Sequence, residues 1–152
     1  MHDTPAGVAH FLEHKMFDMP DGDNALSVLS ANGAQPNAFT SSGMTAYFFD
    51  CTSGFEENLR MLLKFVSTPY FTQETVDKEQ GIIGQEICMV EDNPGYVVYN
   101  RLMRMLYEFN PIRDQVAGSI ESIAEITAET LYNCHKAFYA PSNTVSYTHL
   151  TL

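Results

Sequence analysis

His10, Glu13 and His14 form the pattern H-x-x-E-H within five consecutive residues. On a helix turning about 100° per residue, the two histidines lie roughly 40° apart and Glu13 roughly 60° to the other side of His10, so all three project from one face. Two imidazoles at i and i+4 can bind one zinc ion, and the carboxylate between them can reach a water on that metal. The order is the reverse of the helical H-E-x-x-H zinc motif. Histidines at this spacing also occur as ordinary core or surface residues, so the pattern needs a further ligand before it points to chemistry.

A catalytic zinc requires a third protein ligand and an open fourth position. The stretch after Thr72 offers Glu74, Asp77, Glu79, Glu86 and Glu91. Helical spacing puts Glu79 and Glu86 on one face to within about 20°, Asp77 roughly opposite Glu86, and Glu74 and Glu91 well to the side. Ile82 and Ile83 lie between the matched pair, so this face is expected to be partly buried. A carboxylate there needs a partner, because unpaired buried charge is costly. Zinc would be that partner for Glu86; a salt-bridged or solvent-facing glutamate is the plainer alternative.

The elements that must position these residues follow from pattern and punctuation. A helix is expected from Gly7 to about Phe17, and another from Asn24 to Asn32 with Asn24 or Asp23 as cap and Gly33 at its end. Asn37–Ser41 and Thr45–Thr52, rich in Phe, Tyr and Thr and separated by Ser42-Gly43-Met44, read as a β-hairpin. Phe55–Val66 has helical periodicity. Thr72 caps a long helix to about Glu91, stopped by Asn93-Pro94-Gly95. Helical segments follow at Tyr96–Tyr107, Ser119–Ala124 and, capped by Thr127, through Phe138. The fold class is α+β, with helices packed on one face of a mainly antiparallel sheet. Two strands make a poor independent sheet, so further strands are expected before Met1.

Composition narrows the classes. The 152 residues amount to one domain, 45% apolar and 18% charged. With 19 Asp and Glu against 8 Lys and Arg, a nucleic-acid partner is not expected. No apolar run approaches the roughly 20 residues of a membrane span. Cys51, Cys88 and Cys134 are far apart and form no C-x-x-C, which suggests free buried cysteines and a reducing compartment, the cytoplasm. His2, in the terminal segment, and His135, beside Tyr132 and Tyr139, are expected to be non-ligands, and Met103–Met105 to be core. Residues 145–152, Val-Ser-Tyr-Thr-His-Leu-Thr-Leu, resemble a translated sequencing adapter and are expected not to be native, so His149 is no ligand candidate.

Gly7-Val8-Ala9-His10-Phe11-Leu12-Glu13-His14, with Phe17 following, resembles the signature of the insulinase/pitrilysin family of zinc metallopeptidases, which includes the mitochondrial processing peptidases. Glu79-Gln80-Gly81-Ile82-Ile83-Gly84-Gln85-Glu86 resembles its downstream glutamate segment, especially in bacterial members. Asn37-Ala38-Phe39-Thr40-Ser41 and Thr45-Ala46-Tyr47 resemble its strand beside the active site, and the similarity runs from about Pro5 to Asn143.

Position by position, the resemblance implies one Zn²⁺ per chain held by His10, His14 and Glu86. It implies Glu13 as general base and Glu79 as a second acidic residue of the catalytic site, orienting His14. Asn37, Ala38 and Phe39 would lie on an edge strand that binds extended peptide or protein substrate. The implied activity is that of a zinc metalloendopeptidase. Active units of the family combine two related domains. Residues 1–144 are therefore expected to be part of an N-terminal catalytic domain, truncated at both ends and inactive alone. Its expected partner is a C-terminal homologous domain or a partner subunit. A non-proteolytic peptide-binding subunit of the same family is the alternative; such members usually lose motif residues, whereas His10, Glu13, His14 and Glu86 are all in place.

Overall fold

In the computed structural model, which describes residues 4–150, the H-x-x-E-H pentapeptide lies inside helix α1 (Val8–Lys15). His2 falls outside the described residues. Two glycines set where α1 begins. Gly7 has φ +89° and Gly118 has φ +76°, a region L side chains rarely adopt. A Cβ on Gly7 would sit 2.4 Å from the Ala117 carbonyl oxygen, and one on Gly118 would sit 2.4 Å from that of Ala6. The two backbones therefore touch, and Ser122 Oγ donates to the Ala6 carbonyl at 2.8 Å. Gly118→Ala is expected to lower stability by about 2–4 kcal/mol, through left-handed strain and separation of these backbones. A loss below about 0.5 kcal/mol in urea denaturation, the level of an ordinary surface change, would show that this contact does not hold α1.

Helix α2 (Ala25–Ala31) starts at Asn24, whose side chain accepts from the Leu26 and Ser27 amides. The hairpin β1 (Ala34–Thr40) and β2 (Thr45–Cys51) follows, then α3 (Phe55–Ser67), α4 (Gln73–Glu91), α5 (Pro94–Leu106), α6 (Ile120–Ala124) and α7 (Ala128–Phe138). Short 3-10 turns cover Pro111–Arg113 and Pro141–Asn143. Thr72, Ser119 and Thr127 cap α4, α6 and α7 with reciprocal bonds to Thr75, Ser122 and Thr130. Each satisfies amides that the first helical turn leaves free.

The strands pair antiparallel, with Ala38 opposite Tyr47 and Thr40 opposite Thr45. Ala34, Ala38, Tyr47, Phe49 and Cys51 turn toward the core, while Gln35, Asn37, Phe39, Phe48 and Asp50 are exposed. This is the alternation of a sheet covered on one side, and it gives the α+β arrangement that the sequence predicts. β1 starts at Ala34 rather than Asn37, and Pro36 lies within it opposite Phe49. β1 has no strand on its other edge among the described residues, and such a strand tolerates a proline because not every amide is needed for pairing.

α1 runs through the centre. Its Phe11 and Leu12, and Met16 just past its end, are buried with Leu29 of α2, Phe65 of α3, Val76, Ile83 and Ile87 of α4, and Leu131 of α7. Lys15 is also buried and is neutralised by Asp18. The Tyr47 and Tyr139 hydroxyls, 2.7 Å apart, tie β2 to the end of α7. Gln80 Nε2 donates to the Ile123 and Ile126 carbonyls, fixing α4 against α6.

Of three sequence expectations, the partly buried face of α4 holds through Ile83 but not Ile82, and the other two fail. Ile83 is fully buried but Ile82 is 56% exposed, because neighbours on a helix are about 100° apart and only one can face the core. Met103 is half-buried and Met105 is 86% exposed rather than core. α5 meets α4 and the 3-10 turn at Pro111–Arg113, and none of its residues is buried among the described residues. Cys134 is buried and Cys51 half-buried as expected, but Cys88 is exposed. Residues 145–150 have no regular structure and are exposed. No helix among the described residues is long and apolar enough to cross a membrane.

Candidate metal centre

α4 crosses α1 so that Glu86 faces both histidines. His10 Nε2 lies 3.6 Å from Glu86 Oε1, and His14 Nε2 lies 3.6 Å from Glu86 Oε2. One ligand atom from each of the three residues lies within 4.8 Å of the other two, and no other such group forms among the described residues. Tetrahedral ligands ~2.1 Å from one zinc ion would be ~3.4 Å apart, so small side-chain movements suffice to close this set on a metal. The donor set, two imidazoles and a carboxylate, is one that zinc accepts in sites that keep a position open for water.

Glu79 stands one helical face-repeat before Glu86 and meets His14 from behind, with its Oε1 3.0 Å from His14 Nδ1. An ionised carboxylate only accepts, so Nδ1 carries the proton and donates. The lone pair of a neutral His14 is thereby left on Nε2, the nitrogen nearer Glu86. His10 Nδ1 is buried without a hydrogen-bond partner among the described residues.

The titration of these groups follows their surroundings. Burial, then the neighbouring His14, pulls His10 below the ordinary histidine value, which favours the neutral, metal-binding ring. The hydrogen bond that His14 donates to Glu79 raises His14 against its burial, and the same bond lowers Glu79. A proton on His14 competes with a metal for Nε2. Zinc affinity is therefore expected to fall as pH drops, starting above the ordinary histidine value of 6.5. Glu79→Gln should move that onset to lower pH and weaken zinc at pH 8 by about 10- to 100-fold, because the ring loses its orienting charge. Zinc titration calorimetry at several pH values checks this; identical profiles for both proteins would remove Glu79 from the role.

The other acidic residues of α4 are placed elsewhere. Glu74 pairs with Lys78 and Asp77 accepts from Gln73, all exposed. Glu91 is exposed and outside the cluster. His135 Nε2 meets the Val66 carbonyl at 2.9 Å and its ring stacks on Tyr139.

Glu13 is 8% exposed, and its Oε2 accepts from the Thr40 hydroxyl. Thr40 Oγ1 lies 3.2 Å from Thr45 Oγ1. The sequence reasoning missed Thr40 as a site residue. The signal was available: two residues after inward-facing Ala38, strand alternation turns Thr40 to the same side. Asn37, Ala38 and Phe39 sit earlier on β1, whose other edge has no strand beside it among the described residues. Asn37 Oδ1 accepts from the Ala38 amide at 2.9 Å, and Phe39 is exposed beside Phe48. None of these three belongs to the metal cluster.

Residues 1–120 match the family model described as Insulinase (Peptidase family M16). A Bacillus subtilis protein described as the uncharacterized zinc protease YmfH is 51% identical over 140 residues, which cover 92% of this chain and 32% of that relative. A solved M16-like peptidase from Alicyclobacillus acidocaldarius superposes with a TM-score of 0.87 at 44% identity, covering 93% of this chain and 33% of that one. The first half of the periplasmic protease PqqL of Escherichia coli shares the fold, with a TM-score of 0.75 at 22% identity over 91% of this chain and 32% of that one. The chain thus spans about a third of the length of the relatives it matches.

Proposed function

The chain belongs to the insulinase family, peptidase family M16, and from that premise we propose that the whole protein is a zinc-dependent metalloendopeptidase. The observation that carries this reading is the convergence of His10, His14 and Glu86 from two helices, with Glu79 fixing His14 from behind. Bound by these three residues, zinc would supply a Lewis acid that eases deprotonation of a water and polarises the scissile carbonyl. Glu13 takes the proton of the attacking water and returns it to the leaving amine. Glu79 keeps the imidazole of His14 in the tautomer that can bind metal.

The edge of β1 that has no strand beside it among the described residues accepts an extended peptide by strand addition. For that, Asn37 releases the Ala38 amide that it now holds, and its side-chain NH₂ becomes a donor for the substrate. Phe39 lies on the exposed side of the sheet, where it can touch substrate side chains. A second homologous domain or a partner subunit completes the active unit, in keeping with the chain's one-third span of its relatives. The three unpaired cysteines support a reducing compartment such as the cytoplasm.

The test is turnover of an unbiased peptide mixture by the zinc-loaded whole protein. Hydrolysis that stops on chelation and returns with zinc supports the reading. A protein that holds zinc and cuts nothing would support the alternative, a non-proteolytic peptide-binding or partner subunit.

A further inference from the structure

We propose that Thr45 and Thr40 form a directed hydroxyl chain that holds the Glu13 carboxylate in place, making Thr40 a positioning residue for the hydrolysis; this rests on the reading of Glu13 as general base. A hydroxyl has one proton to give. Thr40 gives its proton to Glu13 Oε2, since an ionised carboxylate can only accept. The contact between the two threonines at 3.2 Å is then donated by Thr45. The chain runs one way, from Thr45 to Thr40 to Glu13.

The threonines are well placed to hold still. They are cross-strand partners at the end of the hairpin. The turn beyond them is closed by the Ser41 amide on the Met44 carbonyl at 2.8 Å and the Met44 amide on Ser41 Oγ at 3.2 Å. Threonine is β-branched, so few χ1 rotamers are open to it. Glu13 has three side-chain torsions and, among the described residues, no hydrogen-bond partner besides Thr40. Its orientation therefore depends on β1. Oε2 is already occupied by a donor, which leaves Oε1 to take the water proton and hand it on.

Two substitutions separate this from a packing role. Thr40→Val keeps the shape but exchanges the hydroxyl for a methyl; Thr40→Ser keeps the hydroxyl and gives up the methyl. In the zinc-loaded whole protein, Thr40→Val should lower kcat by about 10- to 100-fold, the value of a hydrogen bond to a charged group. KM and zinc content should stay within about twofold, and Thr40→Ser should recover most of the rate. Thr40→Val that keeps the wild-type kcat, or a Thr40→Ser as slow as Thr40→Val, would overturn the proposal. The contact also has a readout independent of catalysis. In zinc-free protein, the infrared carboxylate stretch assigned to Glu13 by Glu13→Gln should shift in Thr40→Val and not in Thr40→Ser. An unmoved band in both would overturn the contact itself. Absence of hydrolysis by the wild-type protein would instead remove the endopeptidase reading and leave the infrared result to decide the contact.

Discussion

Glu13→Gln in the zinc-loaded whole protein is expected to keep its metal and lose about 10²- to 10⁴-fold in kcat, the range of a positioned general base. The amide is nearly the same size and can still accept from Thr40, so the packing around this buried side chain survives. What disappears is the ability to take a proton from water and deliver it to the amine. Glu13 is not one of the three residues whose ligand atoms converge, so zinc content should not fall. Parallel measurement of peptide turnover and bound zinc checks both halves. Turnover within threefold of wild type would remove Glu13 from the base role, and loss of zinc would make it a ligand.

Glu86→Gln is expected to weaken zinc by more than about 100-fold, whereas Glu91→Gln should leave it within about twofold. The contrast rests on position. Losing a group that merely orients a ligand already costs about 10- to 100-fold, and Glu86 would be a ligand and the only anionic one in the set. Glu91 is on the same helix with the same chemistry, but is exposed and away from the histidines. Competition against a chromophoric chelator measures both affinities. The reverse ranking would sink the ligand assignment.

Much of this was legible because helices announce both their ends and their faces. Thr72 and Thr127 cap where the sequence puts them, and the seven-residue repeat brings Glu79 and Glu86 to the side of α4 that meets α1. The histidine spacing alone gives a face; the second helix is what makes it a candidate site. What stayed hidden depends on packing between distant segments. The contact of Gly7 with Ala117 and Gly118 has no local signature, since Gly7 also reads as an ordinary helix start. Thr40 reads as a strand residue until the hairpin is laid against α1. The exposure of Ile82 and Met105 follows from which sides of α4 and α5 are covered, which periodicity within one helix does not specify.

The most direct measurement is the zinc content of the folded, purified whole protein after dialysis against a weak chelator, alongside Glu86→Gln. The account predicts about one zinc per chain for the wild type, as a mononuclear site requires, and a loss of most of it in the variant. A wild-type protein that stays folded by circular dichroism and carries no zinc, or a Glu86→Gln protein that retains as much as wild type, would contradict it.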